Sequence, residues 1–207
     1  EGMYYGKNRI KTIKKYHALF DDNSASKLKG EASVSYLFYK NVPQKIKAYN
    51  TDAKIIIMLR NPIDRAFSHY LMDYRLGLVT DSFEDIIDQK IVHKNAKLFY
   101  QQYIELSEYA NQVKRYLDAF NETEILFIEY EDLKTDVLGI VKKTYLFLGV
   151  NEIYEPDVNT KHNTYSMPKN RIICFIYSFV LLRNILSFLF PKNLLNRLRE
   201  VLFKNDK

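Results

Sequence analysis

Residues 54–70, KIIIMLRNPIDRAFSHY, decide the fold. Ile55, Ile56, Ile57, Met58 and Leu59 form a run of branched apolar residues that stops at Arg60, which predicts a buried strand. Asn61 and Pro62 then turn the chain. Pro62 suits the first helical position, where its missing N–H would find no partner in any case. Ile63, Ala66, Phe67, Tyr70, Leu71 and Tyr74 follow at the spacing of an amphipathic helix, with Arg65 and Ser68 on its less apolar side. A helix that starts straight after a buried strand is where α/β proteins hold anions, because free N–H groups and the helix dipole point there. A guanidinium fork at Arg60 and a short hydroxyl donor at Ser68 suit a phosphate. The plainer reading makes Arg60 a structural ion-pair partner and leaves Ser68 facing solvent.

A chain of 207 residues with 47% hydrophobic content is an ordinary size for one domain with a proper core, and its composition argues against disorder. The net charge of +6 favours anionic ligands: nucleotide phosphates, acidic glycans or a membrane surface. No nucleic acid is expected, since the basic residues are scattered and carry no recognition motif. A single cysteine, Cys174, excludes an internal disulfide framework and a cysteine-rich zinc site, and suits a cytoplasmic location. His17, His69, His93 and His162 show no metal-ligand spacing, so all four are read as non-catalytic and no metal is expected.

Outward from the central stretch, residues 9–20 carry a short amphipathic pattern and 21–26 form a polar loop. Residues 27–36 predict at most a short strand ending near Glu31, and 43–49 a brief helix. Ser82 with Asp85 resembles a capping box that opens a helix through Ile91. Tyr103, Leu106, Ala110, Val113, Leu117 and Phe120 alternate in steps of 3 and 4, predicting the longest helix of the chain over 101–120. EILFIEY (124–130) predicts a second buried strand. A helix over 136–148 follows, with Gly149 placed for a left-handed cap. Strand, helix, strand, helix in that order predicts a parallel sheet flanked by helices. No repeat or linker interrupts it, so 1–207 is read as a single domain with 172–207 as an apolar and basic helical tail.

The string R-N-P-x-x-R-x-x-S-x-Y, residues 60–70, resembles the 3′-phosphate-binding motif of sulfotransferases that use 3′-phosphoadenosine-5′-phosphosulfate (PAPS), especially the heparan-sulfate-type branch and its bacterial relatives. IEYEDLKTD (128–136) and FLGV (147–150) resemble that family's later strand-to-helix join and helix end, so the likeness covers nearly the whole chain. It implies a P-loop-like α/β fold and transfer of a sulfuryl group from PAPS to a hydroxyl or amine, expected on a carbohydrate. Arg60 and Ser68 then hold the 3′-phosphate. Glu31 in GEASVSYL takes the place of the family's general base, although Val34 stands where a proline is usual. Tyr165 in NTKHNTY (159–165) matches an aromatic cofactor contact, with Lys161, Lys169 and Arg171 as further charges. The family's Gly-rich loop carrying a Lys, which holds the 5′-phosphosulfate, has no counterpart in residues 1–36, where Gly2, Gly6 and Gly30 are isolated. The fold is therefore expected to lack its first strand and phosphate loop, as the C-terminal part of a larger chain would. A P-loop kinase-like phosphotransferase and a non-catalytic membrane-peripheral protein on a degenerate fold are the alternatives.

Residues 172–190, IICFIYSFVLLRNILSFLF, approach the length of a membrane span, but Arg183 and Asn184 interrupt them. An Arg at a helix centre costs about 2.5–3.5 kcal/mol on insertion scales. After Pro191, NLLNRLREVLFK reads as a basic amphipathic helix. A pair of core helices, a helix lying on a membrane and a true span all fit this pattern, and peripheral membrane contact through 172–203 follows from the second.

Overall fold

The computed structural model describes residues 10, 12–20, 28–158, 166–169, 173 and 188–205. Within them the chain enters through two short helices, α1 (Ile13–His17) and α2 (Val42–Tyr49), and then runs along β1 (Ile55–Leu59). Helices α3 (Pro62–Arg75), α4 (Phe83–Ile87), α5 (Ala96–Tyr103) and α6 (Tyr109–Leu117) lead to β2 (Ile125–Glu129). The two strands pair in parallel, from Ile55 opposite Ile125 to Leu59 opposite Glu129. Helices α7 (Tyr130–Thr135) and α8 (Val137–Leu148) follow. Further on, β3 (Ser166–Pro168), α9 (Lys192–Leu202) and β4 (Phe203–Asn205) form a small unit in which β3 and β4 pair antiparallel. The fold is α/β, with a parallel strand pair flanked by helices.

Several expectations need correction. Residues 28–33 hold no strand, and 34–38 form a turn. Too few apolar residues there can pack against the sheet. The helix after Ser82 stops at Ile87 rather than Ile91, and α1 gives way to a 3₁₀ turn at Ala18–Phe20. Strand β1 is buried on one face: Ile57 is covered, but Ile56 and Met58 are 41% and 50% exposed. Tyr165, Cys174 and most of 172–190 lie outside the described residues.

The long helix expected over 101–120 is broken into α5, a 3₁₀ turn at Glu105–Ser107, and α6. Hydrogen bonding explains the break. The Arg65 guanidinium donates through Nη1 to the carbonyls of Gln102 (2.7 Å) and Tyr103 (3.3 Å) and to Ser107 Oγ (3.1 Å). Ser107 Oγ donates to Tyr103 O at 2.8 Å, and Gln112 Nε2 donates to the carbonyls of Glu105 and Glu108. Side chains thus replace the missing helical donors. Packing explains why the break is useful. Tyr103 is fully buried in a cluster with Tyr70, Val79, Ile86 and Phe99, whereas Tyr116 and Phe120 pack with Ile57 and Ile125 against the sheet. What reads in sequence as one stripe serves two cores.

Helix α8 ends as its glycine predicts. Gly149 has φ +74° and donates its N–H to the carbonyls of Tyr145 and Leu146. A Cβ there would meet no other atom within 4 Å, so only backbone strain opposes a larger residue. Gly149→Ala is expected to cost about 1 kcal/mol, read as a lower urea midpoint with an unchanged slope. An unchanged midpoint would mean that the left-handed cap contributes nothing.

Candidate active site

Parallel pairing brings the C-terminal ends of β1 and β2 side by side. Since Leu59 lies opposite Glu129, the next residues, Arg60 and Tyr130, are neighbours. The Arg60 guanidinium sits 5.3 Å from the centre of the Tyr130 ring, and Lys134 Nζ approaches the same ring at 4.7 Å. Arg60 Nε is buried and has no hydrogen-bond partner among the described residues, and the same holds for Glu131 Oε1. Buried polar atoms of this kind are costly unless a ligand or water completes them. The Tyr109 hydroxyl, at the start of α6, approaches the Arg60 backbone N–H. Burial raises its pKa.

The start of α3 differs from a free amide cradle. Asn61 Oδ1 accepts from the N–H groups of Ile63 (3.0 Å) and Asp64 (3.2 Å), and its carbonyl accepts from Arg65 N at 2.9 Å. Pro62 has no N–H to offer. The first turn is therefore satisfied internally and offers no free amide cradle. Ser68 is exposed in the second turn of α3. Arg65, by contrast, turns inward to bind the α5–α6 break and is not available to a ligand.

Glu31 is exposed in the irregular segment before the 34–38 turn. Its carboxylate lies among tyrosines. Burial, then Glu31, pushes Tyr16 up to about 12, and Tyr36 shifts upward for the same causes. Arg60 and Ser68 thus belong to one strand-to-helix unit. Glu31 is tied to the other end of α6, where Tyr116 Oη donates to Tyr36 O at 3.0 Å. Seven residue steps of α-helix separate Tyr109 from Tyr116, about 10 Å along the axis. Reading the sequence alone misses Tyr109 and Tyr130, because their contacts depend on register and on approaches across tens of residues. The join EYED is the one local signal near Tyr130.

An arginine at the C-terminal edge of a parallel strand pair, beside a capped helix, is an arrangement of α/β proteins. More particularly, the chain belongs to the sulfotransferase domain family, which it matches over residues 4–175. It is 25% identical over 171 residues to heparan sulfate glucosamine 3-O-sulfotransferase 3B1 of Mus musculus, covering 82% of this chain and 42% of that protein. It is 28% identical over 142 residues to luciferin sulfotransferase of Photinus pyralis, covering 67% of this chain and 36% of that protein. A solved sulfotransferase from Alicyclobacillus acidocaldarius shares the fold with a TM-score of 0.65 at 30% identity, covering 84% of this chain and 72% of that one. The chain spans less than half the length of the curated relatives it matches.

One half-buried group beside the site gives a pH test. His69 Nδ1 lies 3.0 Å from Arg65 Nη2, and since a guanidinium only donates, Nδ1 is the acceptor. The other ring nitrogen faces Asp73 Oδ2 at 3.7 Å. Burial lowers the pKa of His69, and Arg65 adds to this while Asp73 opposes it. The unfolded chain therefore takes up the proton more readily, so this contribution to stability is complete above the ordinary histidine pKa of about 6.5 and is lost as pH falls below it. Thermal melts at pH 7.5 and 5.5 should show His69→Gln losing less stability on acidification than the wild type. An equal loss in both would place the sensitivity elsewhere.

Proposed function

We propose that the full-length protein transfers a sulfuryl group from PAPS to a hydroxyl, or an amine, of a carbohydrate acceptor. The observation that carries this is the position of the Arg60 guanidinium at the C-terminal end of β1, where the motif at residues 60–70 begins, in a chain that belongs to the sulfotransferase family. PAPS supplies the activated sulfuryl group, and its 3′-phosphate fits the donors available. The Arg60 fork matches two phosphate oxygens, and the Ser68 hydroxyl supplies a further donor from the second turn of α3. Lys134, beside the same tyrosine ring, adds positive charge. Tyr165 is assigned to the same nucleotide on the family likeness alone. Glu31 acts as the general base: its carboxylate takes the proton from the acceptor hydroxyl as the new S–O bond forms and the bond to the 5′-phosphate breaks. A carbohydrate acceptor is favoured by the heparan-sulfate-type motif and by relatives named for glucosamine sulfation, and the luciferin relative keeps other hydroxyls in view. The reaction asks for no metal. The lone cysteine suits a cytoplasmic setting.

Two variants of the full-length protein test this. Arg60→Ala should weaken 3′,5′-adenosine diphosphate about 10–100-fold in calorimetry while leaving 5′-AMP nearly unchanged. Glu31→Gln should slow turnover by about 10²–10⁴ and spare nucleotide affinity. Equal losses for the two nucleotides would refute the role of Arg60, and a preference for ATP would favour a phosphotransferase.

A membrane-surface role for the tail rests on a separate observation. Leu194, Leu198, Val201 and Leu202 form one stripe along α9, and all are exposed, as are Phe188, Leu189 and Phe190 before it. Lys192, Arg197, Arg199 and Lys204 against Glu200 make the same segment basic. An anionic bilayer matches both properties. No helix among the described residues is long and apolar enough to cross a membrane. The protein should sediment with phosphatidylcholine vesicles containing phosphatidylglycerol but not with phosphatidylcholine alone, and Leu198→Asp should release it. Failure to bind either vesicle would remove the membrane from the reading.

A further inference from the structure

Residues 28–33, which carry Glu31, form no helix or strand, and 34–38 form only a turn. The position of this segment must therefore come from its partners, and one helix supplies them. Three consecutive carbonyls, those of Tyr36, Leu37 and Phe38, are taken by adjacent residues of α6. Tyr116 Oη donates to Tyr36 O at 3.0 Å, and Arg115 Nη2 donates to Leu37 O at 3.0 Å and Phe38 O at 2.8 Å. The guanidinium is itself held, with Nη1 donating to Asn111 O at 3.1 Å. Leu37 packs against the cluster of Ile57, Tyr116, Phe120 and Ile125. Tyr116 stays protonated through the working range, because burial raises its pKa to about 12, so its hydroxyl remains a donor.

The same helix is fixed at its other end. Arg65 and Gln112 bind the turn that precedes α6, and Tyr109 at its first position approaches the backbone of Arg60. A single rigid element thus touches both the segment bearing Glu31 and the residue proposed to hold the 3′-phosphate.

We propose that Arg115 and Tyr116 are positioning residues that hold the Glu31 segment at a set distance from the Arg60 site, so that base and donor nucleotide meet across α6. This rests on the reading of Glu31 as the base. Neither residue touches substrate. Each acts by clamping backbone carbonyls, and a displacement of about 1 Å in a reacting group costs about 10²-fold in rate.

The test uses the full-length protein. Tyr116→Phe removes one hydroxyl and keeps the ring that stacks on Phe120 at 6.3 Å, so it preserves the core. Arg115→Met removes the donors and keeps the apolar stem. Both should lower kcat about 10-fold or more while calorimetric affinity for 3′,5′-adenosine diphosphate stays at the wild-type level. In the Glu31→Gln background, Tyr116→Phe should add no further loss, since the group it positions is already gone. Wild-type kcat in Tyr116→Phe, a parallel fall in nucleotide affinity, or full multiplication with Glu31→Gln would each overturn the proposal. Were Glu31→Gln slow and Tyr116→Phe normal, only the positioning role would fall. Were Glu31→Gln itself near normal, the base assignment would fall, and this inference with it.

Discussion

The Arg65 guanidinium holds the described architecture together. It reaches from the first turns of α3 into the space between α5 and α6, binding two backbone carbonyls, a serine hydroxyl and an imidazole nitrogen. The contacts to Gln102 and Tyr103 answer carbonyls that the broken helix leaves without helical donors, groups that cost about 1–3 kcal/mol each when buried unsatisfied. Burial lowers the pKa of Arg65, and Tyr109 and then Asp73 oppose that shift. The break so stabilised lets α5 face one core and α6 the other, and it orients α6 against the sheet.

Local signals made much of this fold legible. The branched apolar runs of β1 and β2, the Asn61-Pro62 start of α3 and the Gly149 end of α8 are each decided by a few adjacent residues, and each stands within a residue or two of its expected place. The α5–α6 break was not legible. Its cause lies 37 residues upstream, and hydrophobic periodicity carries no trace of a side chain that arrives from another helix. The absent strand near Glu31 has a related origin: with few apolar side chains, that segment is placed by Arg115 and Tyr116, 77 to 80 residues further on.

The candidate site divides in the same way. Arg60 is legible because the end of a buried strand in an α/β chain is a chemically special place. Its aromatic support is not, since Tyr130 becomes its neighbour only through the β1–β2 register. The expectation of free helix-start amides fails for a reason that is visible in the sequence afterwards. The asparagine that makes a good cap for α3 consumes the donors that a phosphate would want.

The ring beneath Arg60 has a thermodynamic consequence. A cation resting on an aromatic face has already lost water from that side, and Tyr130 achieves this during folding. In the proposed role of Arg60, an arriving anion would strip only the remaining edge of the guanidinium. Part of the dehydration and ordering that usually weaken a charged contact would then precede the encounter.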